Sequence, residues 1–210
     1  MENDGRAEPT RREDDYRFGR IIAISDGVFA FSLTLLVVTL VAPTATSNSA
    51  LLSQLGNQWP ELISYLLSFS VVAVTWYSHH ETFRFIRHAD GKLILLNFAC
   101  LLLVAFLPFP TAVLGRNQGL AVAAVVYAVT LTLVNFANAA LWWYATRARK
   151  LVDRDLDRHV VKRRFLRLAI GALVFLSSIP VAFWQPRLAE AMWFPLFGIN
   201  LVISTERRTA

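Results

Sequence analysis

The residues in this chain able to do proton, metal or ion chemistry lie inside or beside apolar runs. Asp26, flanked by Ser25 and Gly27, sits roughly one helical turn inside the run that starts after Arg20. A carboxylate at that depth in lipid is expensive, and it faces either a partner on another helix or water. A second group is Trp76, His79, His80 and Glu81. Adjacent histidines suggest a metal, but on a helix they point about 100° apart and do not chelate one ion. The remaining histidines, His88 and His159, fall in polar segments, so no metal site and no cofactor are expected. Interhelical hydrogen bonding fits better, with His79 or His80 meeting Asp26. Glu81 precedes Arg84 by three residues, the spacing of a solvated ion pair at a helix edge. Cys100 is the single cysteine and reads as a small buried hydrophobe. No nucleophile–base constellation is visible, which excludes an enzyme as the leading reading.

The elements that position these residues are membrane helices. Of 210 residues 55% are hydrophobic and only 17% charged, and the charges cluster between long apolar windows. A window of roughly 18 apolar residues is long enough to span the hydrocarbon core. The pattern predicts six spans, over 21–42, 60–83, 93–107, 119–144, 168–184 and 189–204. Pro43 ends the first, Pro60 opens the second, Pro108 and Pro110 interrupt the third, and Pro180 kinks the fifth. Residues 44–59 carry no charge and read as a polar outer loop; 147–167, with nine bases and three acids, reads as a polar cytoplasmic segment. Residues 1–20 form a cytoplasmic segment without the apolar core of a cleavable signal, 21–204 one six-helix domain, and 205–210 a cytoplasmic tail.

Orientation follows from the bases. With the N-terminus inside, cytoplasmic segments hold 19 of the 21 Lys and Arg residues, and outer loops hold only Arg116 and Arg187. The expected fold is therefore an all-α integral membrane protein with both termini cytoplasmic. The net charge of +6 reflects this topology and calls for no nucleic-acid partner.

Within the first span, Phe31, Leu35 and Val38 recur at i, i+4 and i+7, a single stripe with Thr34 at its flank. Such a stripe either packs on other helices or lines a pore. The string from Arg20 to Leu36, with Ser25-Asp26-Gly27-Val28-Phe29-Ala30 at its centre, resembles the signature of the lysosomal and bacterial potassium channels called transmembrane protein 175. The likeness continues through Trp76, His79, His80 and Phe83 to Asn97 and the run from Leu107 to Thr111. The resemblance implies a homotetramer of six-helix subunits in a bacterial plasma membrane, with four copies of the first helix around an ion path. It also implies a packing network of Arg20, Ser25 and Asp26 with Trp76, His79, His80 and Asn97. Ile24 stands where the family usually has Phe, Thr39 where an acid is common, Phe31 at the usual Ile or Leu of the constriction, and Val38 at a usual Leu.

The expected activity is passive potassium permeation through a constriction of Phe31, Thr34, Leu35 and Val38, modestly selective over sodium. The chain has no Thr-Val-Gly-Tyr-Gly filter, so a hydrophobic constriction gating by dewetting takes its place. The competing reading is a proton-coupled secondary transporter using Asp26 and the histidines. Inverted repeats and helices broken at the midplane, its usual signs, are not visible.

Overall fold

The computed structural model describes residues 7–147, 151–153 and 156–195, with side chains from Tyr16 onward. Within them the chain is helical throughout: α1 Ala7–Val37, α2 Asn48–Asn57, α3 Trp59–Phe85, α4 Gly91–Phe106, α5 Pro108–Arg116, α6 Ala121–Arg147, α7 Arg158–Trp184 and α8 Pro186–Ala191. Among the described residues five spans are long and apolar enough to cross a bilayer: Tyr16–Val37, Trp59–Phe85, Gly91–Arg116, Ala121–Arg147 and Arg158–Trp184. This is the expected all-α membrane fold. Of the sixth predicted span only the start is described, where α8 opens with Pro186; residues 196–204 and the tail lie outside the described residues.

Several boundaries differ from expectation for local reasons. α1 ends at Val37 rather than near Ala42, because Val38, Thr39 and Leu40 donate to carbonyls three residues back. Thr39 Oγ1 adds a bond to the Leu36 carbonyl at 2.7 Å. The stretch expected as an outer loop contains α2, started by Ser47, whose hydroxyl accepts from the Ala50 amide at 3.2 Å. That cap was readable in the sequence. α7 begins ten residues earlier than its apolar core, within the basic segment, where the Asp157 side chain caps the His159 amide.

The third span is broken at Leu107 into α4 and α5. Pro108 has no N–H, so the Val104 carbonyl loses its ordinary i+4 donor. Two groups replace it: the Leu107 amide at 3.1 Å and, from α1, the Ser32 hydroxyl at 2.8 Å. The proline break thereby pins α1 to α4.

α6 and α7 form the most extensive helix pair, α3 packs along α5, α4 along α6, and α1 lies against α3 and α4. The main core joins Phe29, Leu36, Val72, Cys100, Val104, Leu107, Tyr127 and Leu131. α7 packs chiefly on α6 and α8.

Candidate functional site

α1 has two unlike faces. Ser25, Phe29, Ser32 and Leu36, spaced i, i+4, i+7 and i+11, are buried against α3 and α4. The opposite face carries Phe31, 63% exposed, Thr34, and Val38, 69% exposed, with Leu35 half-buried at its edge. Val38 lies one residue past the helix and continues the stripe from the terminal turn. In a membrane, exposure in a lone chain means contact with lipid, another subunit or a pore. Thr34 Oγ1 donates to the Phe31 carbonyl at 2.8 Å, which occupies its proton and leaves the oxygen lone pairs for an outside partner.

On the packed side, five of the expected polar residues come together. Asn97 of α4 is the hub: its Nδ2 donates to Ser25 Oγ at 2.9 Å, and its Oδ1 lies 2.7 Å from His79 Nε2. Ser25 Oγ in turn donates to the Ile21 carbonyl at 2.8 Å. His79 is wedged between Phe29 and Phe83, with ring centroids at 5.2 and 4.6 Å. Trp76 Nε1 donates to Asp26 Oδ1 at 2.8 Å.

This corrects the expectation that a histidine meets Asp26. Ser25 and Asp26 are successive residues about 100° apart, so Ser25 turns toward α4 while Asp26 turns toward α3 and meets the indole. His80 packs on the Trp76 ring at 5.6 Å, and its Nδ1 is buried without a hydrogen-bond partner. Arg20 stands apart, exposed, with its guanidinium 5.9 Å from the Tyr16 ring centroid.

A second polar cluster went unread in the sequence. Glu81, expected in a solvated pair with Arg84, bonds it at 2.6 Å but is itself only 7% exposed. Its other oxygen lies 3.6 Å from Arg164 of α7, which is 9% exposed. Arg164 also donates to Thr82 Oγ1 at 3.0 Å and lies over the rings of Phe85 and Trp142, at 5.0 and 5.3 Å. Arg164 falls in a segment whose composition reads as solvated, so only the apolar spacing of Val161, Leu168 and Ala172 hinted that this helix face was buried. Below it, Arg87 pairs with Asp153 at 2.9 Å, and Ile86 bridges Val152. The Asp153 carboxylate beside Arg87 holds that guanidinium pKa above its usual value.

A bundle of apolar helices long enough to cross a bilayer and tied together through buried hydrogen bonds defines a multi-pass membrane protein. The chain belongs to the TMEM175 family. The family model described as endosomal/lysosomal potassium channel TMEM175 matches residues 20–108. A potassium channel of Streptomyces collinus is 34% identical over 91% of this chain and 97% of its own length. A crystal structure described as a lysosomal potassium-selective channel TMEM175 homolog from Chamaesiphon minutus superposes with a TM-score of 0.80 at 30% identity, covering 90% of this chain and 98% of that one. A protein of Gallus gallus described as endosomal/lysosomal proton channel TMEM175 is 25% identical over 80% of this chain, which spans 35% of that longer protein.

Proposed function

We propose that this chain is the subunit of a homotetrameric, potassium-permeable channel of the plasma membrane, with α1 lining the ion path. The observation that carries the reading is the unpacked stripe of Phe31, Thr34, Leu35 and Val38 on a helix whose other face is fully engaged. The names of the bacterial relatives support it. Closed rings are the ordinary solution for a helix that must meet copies of itself about an axis.

In this reading four Phe31 rings form the narrowest, driest point, and dewetting there blocks ions in the closed state. Thr34 lies on the same face, three residues on, and its free lone pairs replace part of an ion's hydration shell. Potassium holds water less tightly than sodium and gives it up at lower cost, so selectivity is real but modest.

The transporter alternative needs proton hand-over from Asp26 through the histidines. Asp26 instead accepts from an indole, and His79 meets an amide. Indole N–H and amide groups hold a proton in place and do not pass it on, which favours a structural role for this network.

Potassium and sodium currents from purified protein in planar bilayers test the proposal. Wild type should give discrete steps. Phe31→Ala should raise basal potassium current on the order of tenfold and weaken discrimination against sodium. Thr34→Ala should change selectivity while leaving the closed state tight. Unchanged current in an assembled Phe31→Ala channel would place the gate elsewhere.

A further inference from the structure

At the cytoplasmic end of α6 and α7 lies a cavity of about 520 Å³ that the ion path does not use. Its inner wall is apolar, built by Trp142, Val152, Leu156 and Val161. Its polar lining includes Arg147, Arg158 and Lys162, all exposed. Among the described residues the one acid in the lining, Asp153, is already engaged by Arg87 at 2.9 Å. Arg147 lies over the Trp143 ring at 4.6 Å. Among the described residues Arg147, Arg158 and Lys162 have no carboxylate partner, so three cations converge on one apolar hollow without compensation.

The location narrows what fills it. Arg147 closes one membrane span and Arg158 opens the next, so the cavity sits at the edge of the bilayer. α7 packs chiefly on α6 and α8 and not extensively on α1, so its outer face is placed to meet lipid when the exposed stripe of α1 faces a central axis. A soluble anion would satisfy the cations and leave the apolar wall idle. A zwitterionic headgroup would set its own cation against three others. An anionic phospholipid matches both halves.

We propose that this cavity binds the phosphodiester headgroup of an anionic phospholipid of the cytoplasmic leaflet. Arg158 and Lys162 hold the phosphate, and the exposed rings of Trp143 and Phe165 take the glycerol end of the chains. Basic hollows between membrane helices on the cytoplasmic side are suited to such headgroups, and the negative surface potential of that leaflet adds to the attraction.

Native mass spectrometry of the intact, detergent-purified protein tests this, titrating phosphatidylglycerol and phosphatidylcholine in turn, with inorganic phosphate as competitor. Wild type should retain phosphatidylglycerol about tenfold more tightly than phosphatidylcholine. Arg158→Gln/Lys162→Gln should bind the two lipids alike, and its unchanged melting temperature should show that the exposed substitutions leave the fold intact. Arg187→Gln, at the opposite end of the molecule, should keep the wild-type preference. The proposal fails if the double variant keeps the preference, if Arg187→Gln loses it equally, or if phosphate at the lipid's concentration displaces the lipid, which would assign the site to a soluble anion.

Discussion

α3 carries two buried polar clusters two residues apart, and they are built on opposite principles. His79 points toward α1 and α4 and joins a network of hydrogen bonds; Glu81, about 200° further round the helix, points toward α7 and joins an ion pair. The first network ties down the helix with the unpacked stripe using uncharged side chains, with Asn97 bonded to both Ser25 and His79. The second locks the peripheral helix with full charges, capped by aromatic faces. A membrane interior tolerates the first at small gain per bond, because unpaired groups find other partners in lipid-embedded chains too. It tolerates the second less readily once one member is lost, since the other is then a buried charge short of a counter-ion. The two clusters should therefore respond very differently to loss of one member.

The largest effect is expected at the ion pair. Arg164→Met takes one counter-ion from Glu81 and removes the cation from between Phe85 and Trp142. Arg84 still holds one Glu81 oxygen, so the loss should be about 3 kcal/mol, the lower end for a broken buried pair. Thermal unfolding in detergent should show it as a clear fall in melting temperature. Adding Glu81→Gln should restore most of the loss, because the stranded charge and not the missing bond carries the cost. A double variant no better than the single one would make the aromatic packing of Arg164 the dominant contribution.

A smaller effect is expected at the hydrogen-bonded cluster. Asn97→Ala removes two interhelical bonds at once, to Ser25 and His79, and should cost about 1–2 kcal/mol. Trp76→Phe removes only the bond to Asp26 and should cost about 1 kcal/mol or less. Both losses should appear as weakened subunit assembly before unfolding, measured by the mass of the detergent-solubilised particle. Normal assembly with altered ion selectivity in either variant would move this network to the pore side and erase the contrast with Glu81.

The contrast also explains what was legible in the sequence. The five described spans follow from apolar run length, a signal strong enough to survive packing detail. The members of the Asn97 network were nameable because each is a polar residue stranded in an apolar run, which has few reasons to be there. Their pairing was not: a turn of 100° decides whether Asp26 or Ser25 faces α4, and periodicity alone does not fix the rotation of a helix in its bundle. Arg164 was hidden for the converse reason. It sits among bases in a segment that is mostly solvated, and the apolar spacing around it gave only a faint sign of burial that its long-range partner on α3 makes plain. α2 was missed because its apolar residues Leu51, Leu52 and Leu55 are exposed, so no core-facing pattern marked it.

The finest test lies where the two regions share a fastening. Asp90 caps α4, the helix of Asn97, by accepting from the Leu93 amide at 2.8 Å, and it accepts from Tyr144 of α6 at 2.6 Å. The Tyr144 hydroxyl is the main cause, with the α4 amides helping, that holds the Asp90 carboxyl below its usual pKa. A carboxylate depressed in the folded state stabilises the protein above its unfolded pKa and loses that contribution as pH falls through the folded value. Wild type should therefore exceed Asp90→Asn in melting temperature at neutral pH, and the gap should close as pH drops below about 4. The residue is exposed, so solvent screening keeps the gap small. A gap for Asp90→Asn that stays constant across the acid range would mean that the amide replaces the carboxylate as cap and acceptor equally well. The fastening would then rest on hydrogen-bond geometry alone, like the Asn97 network, and not on charge.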